Sequence, residues 1–246
     1  ENSTDDIDKQ DFWLVKLDAN GNEQWQKTIG GKESEYLLSL IQTSEGGYLC
    51  GGSSYSGISK DKTEVCFGED DCWIVKLDEN GNIQWQKTFG SSQRDWVSSL
   101  VQTSDGGFLC GANTYSQKTG NNNKETQGIN SDFWVLKLDQ NGTIQWKKSI
   151  GGDDDDYLFS LALTSDGGSI CGGCSKSGKS RDKKSPSQGR EDAWVVKLSK
   201  KGKIEWEKSF GGTEWDEIAS ILTTKDRNYL LAGTSASGTD GNKTSP

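Results

Sequence analysis

The sequence predicts an all-β protein, a β-propeller assembled from four tandem copies of one unit with four antiparallel strands each. Three observations predict it. The stretch 11–52, DFWLVKLDANGNEQWQKTIGGKESEYLLSLIQTSEGGYLCGG, returns with few changes from Asp71, Asp132 and Asp192, a period of about sixty residues. Each copy holds four apolar runs of strand length, each closed by a turn signal. No stretch carries a helical period of useful length.

In the first copy the runs are residues 13–18, 23–29, 36–44 and 48–54. The first two are joined through Asn20-Gly21, matched by Asn80-Gly81, Asn141-Gly142 and Lys201-Gly202. Asn-Gly reaches positive φ cheaply, so this is a tight hairpin. The last two are joined through Glu45-Gly46-Gly47, repeated as Asp105-Gly106-Gly107 and Asp166-Gly167-Gly168 and reduced in the last copy to Asp226-Arg227-Asn228. Four short strands per repeat make a propeller blade, and a continuous repeat argues for one body over residues 1–246.

Composition agrees. Only 30% of residues are hydrophobic, but ten tryptophans and thirty-one glycines are present. Eight tryptophans occupy two repeat positions, Trp13, Trp73, Trp134 and Trp194, then Trp25, Trp85, Trp146 and Trp206. Each buries about 200 Å², so both sets are expected in the core between blades. The net charge of −9 lacks the basic footprint of a nucleic-acid binder. Histidine is absent, which removes the commonest general base and metal ligand. No apolar run approaches the length of a membrane span, and the chain as given shows no signal peptide. Without any methionine it is expected to begin after a cleavage or at an engineered boundary.

The pattern D-x-W-x-V-K-L-D-x-x-G-x-x-x-W-x-K-x-x-G-G, followed by an acid, a serine and D-G-G, resembles the tandem β-propeller repeats of about sixty residues in bacterial and archaeal secreted and cell-surface proteins. It covers almost the whole chain and is specific for fold; that repeat class is a scaffold with many roles. The resemblance implies that the run ending in the D-G-G turn is the innermost strand of a blade. Blades would then run 36–44, 48–54, 73–78, 83–89 and onward round the ring. The last blade would combine 218–224 and 229–234 with the N-terminal 13–29, giving a closed four-bladed ring with protected strand edges. The tail 238–246 and head 1–10 make a joint only slightly longer than the internal connections 57–70, 117–131 and 178–191. A fragment of a larger ring, and two chains pairing to make eight blades, remain as alternatives.

Alternating connectivity puts the N-G and D-G-G turns on one face, and the long connections with the G-G loops on the other. Long loops on a rigid scaffold are where binding concentrates. Each G-G loop ends in an acid, Glu35, Asp95, Asp156 or Asp216, followed four residues later by a serine. Four carboxylates at a channel mouth could hold Ca²⁺; the plainer reading is that they cap turns. Beside them stand Tyr36, Trp96, Tyr157 and, shifted by two positions, Trp215. Aromatics next to carboxylates suit a sugar-binding pocket and are equally ordinary at the start of a buried strand. The loop 178–190 is basic through Lys179, Arg181, Lys183, Lys184 and Arg190; a solvated loop is the plain reading, an anionic partner the sharper one.

Cys66 and Cys72 have the spacing of a small surface disulfide, which fits export. Cys50, Cys110 and Cys171 share a position held by Leu231 in the fourth copy, and so read as buried hydrophobes. Cys171 and Cys174 fall on opposite strand faces, against a zinc or redox site. Sequons occur at Asn2, Asn141 and Asn242. No nucleophile–histidine pair or phosphate-cradling loop is present. The expected function is a non-catalytic extracellular or cell-surface module for adhesion, matrix or subunit contact. It would bind a protein or glycan at the long-loop face, with homo-oligomer formation allowed and neither nucleic-acid binding nor membrane insertion. The alternatives are a carbohydrate-binding lectin and, third, a glycan-acting hydrolase.

Overall fold

A computed structural model describes residues 9–118 and 125–245, with backbone alone for 116–118 and 125–129. All its regular structure is β-strand. The chain divides into two compact units, Glu1–Gln102 and Thr103–Pro246.

The first unit contains β1 (Phe12–Leu17), β2 (Glu23–Ile29), β3 (Glu35–Gln42), β4 (Tyr48–Ser54), β5 (Asp71–Leu77), β6 (Ile83–Phe89) and β7 (Asp95–Gln102). β3-β4-β5-β6 form an antiparallel four-stranded sheet in that order, and β1-β2 a two-stranded one. The second unit contains β8 (Phe108–Lys118), β9 (Glu125–Leu138), β10 (Ile144–Ile150), β11 (Asp156–Leu163), β12 (Ser169–Ser175), β13 (Asp192–Leu198), β14 (Ile204–Phe210), β15 (Asp216–Thr223) and β16 (Tyr229–Ser235). Here β11-β12-β13-β14 repeat the four-stranded order, β8, β9 and β10 are successive neighbours, and β15-β16 pair alone. The repeated four-strand sheet follows the predicted strand order. The blade expected to be shared between the chain's ends is present as two separate pairs, and no sheet is closed. The connection 117–131, expected as a loop, is partly a ribbon: Ser116, Gln117 and Lys118 pair with Gln127, Thr126 and Glu125.

The strands β3, β11 and β15 carry the same irregularity, at Leu37/Ser39, Leu158/Ser160 and Ile218/Ser220. This bulge re-aims the serine that follows each capping acid. Ser39 Oγ accepts the Leu100 N–H at 3.1 Å, and Ser160 Oγ the Ile221 N–H at 3.1 Å. These serines therefore tie one repeat to the next instead of serving the turn.

The first tryptophan set largely forms the core. Trp73 and Trp194 are wholly buried, packed on Phe12 and Phe133 with ring centroids 4.8 and 4.9 Å apart. Trp13, on β1, is 64% exposed. The second set is only partly buried because it lies on the outermost strands. There Trp25 covers Gly81 and Trp146 covers Gly202; a Cβ at either glycine would come within 3.3 Å or 2.8 Å of the indole, and both have positive φ.

Lysines tie the ends of the strands together. At the tight-turn end, Lys76, Lys137 and Lys197 are buried and ion-paired with the turn acids Glu45 (3.4 Å), Asp105 (3.0 Å) and Asp166 (2.9 Å). At the other end, Lys62 and Lys183 project from the long connections over the Trp73 and Trp194 rings, 5.6 and 6.0 Å from their centroids. Their ammonium groups donate to Thr88 Oγ1 and Ser209 Oγ, each at 2.6 Å. The basic loop 178–190 is thus largely consumed internally: Lys183 is buried, Arg181 binds Asp132 at 3.0 Å, and Arg190 reaches Glu214 at 3.6 Å.

Cys66 and Cys72, expected as a disulfide, are not joined. Cys66 is a thiol whose sulfur lies 3.4 Å from the Gly68 carbonyl and 3.9 Å from that of Glu69, while Cys72 is buried in β5. Cys50, Cys110, Cys171 and Cys174 are buried.

Lys183→Ala is expected to lower unfolding free energy by about 2–4 kcal/mol, since it opens a cavity beside Trp194 and strands the Ser209 hydroxyl. Exposed Lys184→Ala should stay within about 0.5 kcal/mol. Urea denaturation of both variants checks this, and equal effects would contradict the structural role.

Candidate functional site

The G-G loops and the long connections meet at one end of the strands within each unit. Lys32 and Glu33 N–H groups donate to Ser59 and Ser56 Oγ, and Asp153 and Asp154 N–H groups to Ser180 and Ser177 Oγ. The expected loop face is therefore physically continuous in each unit.

The four repeated acids sit under these loops, nearly or fully buried. Glu35 Oε2 accepts the Gly31 N–H at 2.9 Å, Asp95 Oδ2 that of Ser91 at 2.7 Å, Asp156 Oδ2 that of Gly152 at 2.6 Å, and Asp216 Oδ2 that of Gly212 at 2.8 Å. Serine hydroxyls add to this. Ser54 donates to Glu35, Ser91 to Asp95, Ser177 to Asp156, and Ser235 and Ser237 to Asp216. A carboxylate already accepting two or three protein donors has few lone pairs for a hard cation. Among the described residues no three His, Cys, Asp or Glu groups gather as a metal site. The geometry is that of a loop cap.

A second acid series escaped notice as a site, although Asp11, Asp71, Asp132 and Asp192 open every repeat. Asp71, Asp132 and Asp192 are completely buried. Asp71 Oδ2 accepts the Phe67 N–H at 2.5 Å, Asp192 Oδ2 the Gln188 N–H at 2.8 Å, and Asp132 binds Arg181. The first glycine of each G-G pair is the spacer between the two series. A Cβ at Gly151 would lie 1.9 Å from Asp132 Oδ1 and 2.9 Å from Asp156 Oδ2. Burial pushes the Asp156 carboxyl up to about 7, with the Asp132 charge adding to it. Burial also pushes Asp132 up to about 6, against the pull of Arg181.

The aromatic candidates divide between the units. In the first, Tyr36 meets Tyr55 edge-on at 6.2 Å, and the Arg94 guanidinium stands 6.0 Å over the Trp96 ring. In the second, Tyr157 and Trp215 line one cavity of about 520 Å³ together with Lys176, Glu191, Asp216, Glu217, Thr234 and Ala236. Trp215 is 64% exposed, and the Tyr157 hydroxyl lies 3.0 Å from that of Tyr115. Lys176 stands 5.7 Å over the Tyr157 ring and binds Asp155 at 2.9 Å. Burial and the charges of Glu191 and Glu217 raise the Cys174 thiol far above its ordinary range, so it is not a ready nucleophile.

Of the sequon asparagines, Asn2 lies outside the described residues. Asn141 is exposed on its hairpin turn. Asn242 has its amide engaged: Oδ1 accepts the Gly211 N–H and Nδ2 donates to the Ser209 carbonyl, both at 2.8 Å.

No family model matches the chain. It is 23% identical over 231 residues to the regulatory protein FlaEY of Caulobacter vibrioides, covering 89% of this chain and 24% of that protein. The chain thus spans about a quarter of that relative's length. A crystal structure of a protein of unknown function from Bacteroides caccae superposes with a TM-score of 0.51 at 12% identity, over 89% of this chain and 64% of that one. This likeness concerns the fold alone. No described helix is long and apolar enough to cross a membrane.

The raised carboxyl of Asp156 gives a signed pH dependence. The folded state holds a proton that the unfolded chain releases near its ordinary value, so this contribution to stability is complete at low pH and is lost as pH rises through about 6 to 7. Thermal melts between pH 5 and 8 should show a falling midpoint. Asp156→Asn, which mimics the protonated acid, should flatten that slope; an unchanged slope in the variant would refute the assignment.

Proposed function

We propose that the chain is a non-catalytic extracellular binding module that engages a protein or a glycan through its loop face. The observation that carries this reading is the cavity walled by Tyr157 and Trp215. Both acid series beside it are absorbed in holding loops, whereas Trp215 remains exposed. Pockets of this kind, an apolar wall with a few polar groups, are the usual ligand sites. The printed name of the Caulobacter relative, a regulatory protein, is in keeping with binding rather than turnover.

The scaffold for that module is a closed four-bladed ring in which β16 takes β1 as its next strand. Supporting this, β1 exposes Trp13, Val15 and Leu17 at 64%, 40% and 54%, while the equivalent positions on β5 and β13, including Trp73 and Trp194, are buried. If the ladders Ser54↔Asp71 and Ser175↔Asp192 repeat there, Ser235 would oppose Asp11.

A carbohydrate ligand is the second reading, favoured by an exposed indole beside carboxylates. Trp215→Ala and Tyr157→Ala should then abolish retention on a glycan array while leaving the melting curve intact; retained binding rejects it. Light scattering tests the ring. The chain should run as a monomer near 26.9 kDa, unchanged by EDTA because the acids cap loops. Deleting residues 1–30 should unfold or oligomerise it, and a monomeric deletion variant with an unchanged melting temperature would refute closure.

A further inference from the structure

At the loop end, a cation is repeatedly held between an aromatic face and a carboxylate. In the first unit Arg94 stands 6.0 Å over Trp96, and its Nε donates to Asp70 at 2.9 Å. In the second, Lys176 stands over Tyr157 and binds Asp155. A ring quadrupole and a carboxylate both stabilise a cation placed between them, more so when water is partly excluded.

The position of Arg94, immediately before a capping acid, is taken in the last repeat by Trp215. The backbone confirms the equivalence. Asp95 N–H donates to the Asp70 carbonyl at 2.8 Å, and Asp216 N–H to the Glu191 carbonyl at 2.8 Å. Glu191 therefore stands where Asp70 stands, and it bridges to Trp215 through the backbone. The carboxylate is kept and Glu217 adds another, an aromatic is kept in Trp215, but the guanidinium is gone. Among the described residues, cation–ring contacts fall on Tyr48, Trp73, Trp96, Trp134, Tyr157 and Trp194, not on Trp215. The cavity of about 520 Å³ opens at this place.

We propose that this cavity binds an organic cation, a guanidinium or primary ammonium group, which takes the place of the missing arginine side chain. Trp215 supplies the π face, Glu191 and Glu217 the carboxylates. Lys176 also lines the cavity; it is ion-paired with Asp155, and its charge reaches Glu191 more weakly. A chain of net charge −9 favours the approach of cations from a distance. The inference rests on the binding-module reading in using the same cavity, and differs from the sugar reading in the charge of the ligand.

Calorimetry with the whole chain tests it, using acetyl-Gly-Arg-Gly-amide, its neutral citrulline counterpart, and agmatine as a free cation. The arginine peptide should bind saturably, the citrulline peptide about tenfold or more weakly, and Trp215→Ala or the pair Glu191→Gln/Glu217→Gln should weaken binding about tenfold. Tighter binding of the peptide than of agmatine would assign the cation to a protein side chain, and the reverse order to a free amine. Trp215→Arg restores the internal cation, so it should keep the melting temperature and lose the ligand, which separates binding from misfolding. Equal affinity for the citrulline peptide, wild-type affinity in Trp215→Ala, or no binding up to about 10 mM overturns the inference. Glycan retention that Trp215→Ala removes would, in that case, leave the binding-module reading standing and show only the ligand class to be wrong.

Discussion

The structure depends on one interaction: a buried carboxylate accepting a backbone N–H of the loop that lies at the opposite strand end from the tight turns. Glu35, Asp95, Asp156 and Asp216 each make it, at 2.6–2.9 Å. Loop amides that would otherwise be orphaned at the end of a sheet are satisfied, and the loop is drawn down onto the strand that begins with the acid. The long connection then lies on that loop through serine hydroxyls and delivers Lys62 or Lys183 over the core tryptophan. Removing the acid would release the loop, the connection and the lysine together.

The close packing of the two acid series sets both a cost and a limit. Two buried carboxyls with only a glycine between them cannot both ionise cheaply, and no larger residue fits the gap. The glycine, the raised pKa of Asp156 and the arginine on Asp132 are three consequences of one crowded spot.

Strands, turns and repeat order were legible in the sequence because they rest on period-two patterning and turn chemistry, which are local. The runs 23–29, 48–54 and 83–89 coincide with β2, β4 and β6. The expectations that missed depend on distances across the chain. Lys183 read as part of a solvated basic loop because its neighbours are polar, yet the tight turn at Arg181, with φ of 43°, folds it inward. Ser39 follows Glu35 by four residues in sequence, yet the bulge after Leu37 sends its hydroxyl to Leu100 in the next repeat. The shared pattern S-x-D-K at 59–62 and 180–183 was a signal for the buried lysine that composition hid. At the candidate site, the aromatics were visible as residue types; that Trp215 replaces Arg94 emerges only when the backbone aligns Glu191 with Asp70.

Because each loop is capped by an acid, a serine hydroxyl and a loop amide from its own repeat, and the contacts between the first and second copies and between the third and fourth use the same serine and the same tryptophan-on-glycine seat, these polar groups are satisfied within a length of about sixty residues. Unequal crossing-over between copies would therefore exchange, add or remove whole repeats without stranding a donor. The surface residues ahead of the capping acid, serine, arginine, aspartate and tryptophan in the four copies, are left free to diverge while the scaffold beneath them stays constant.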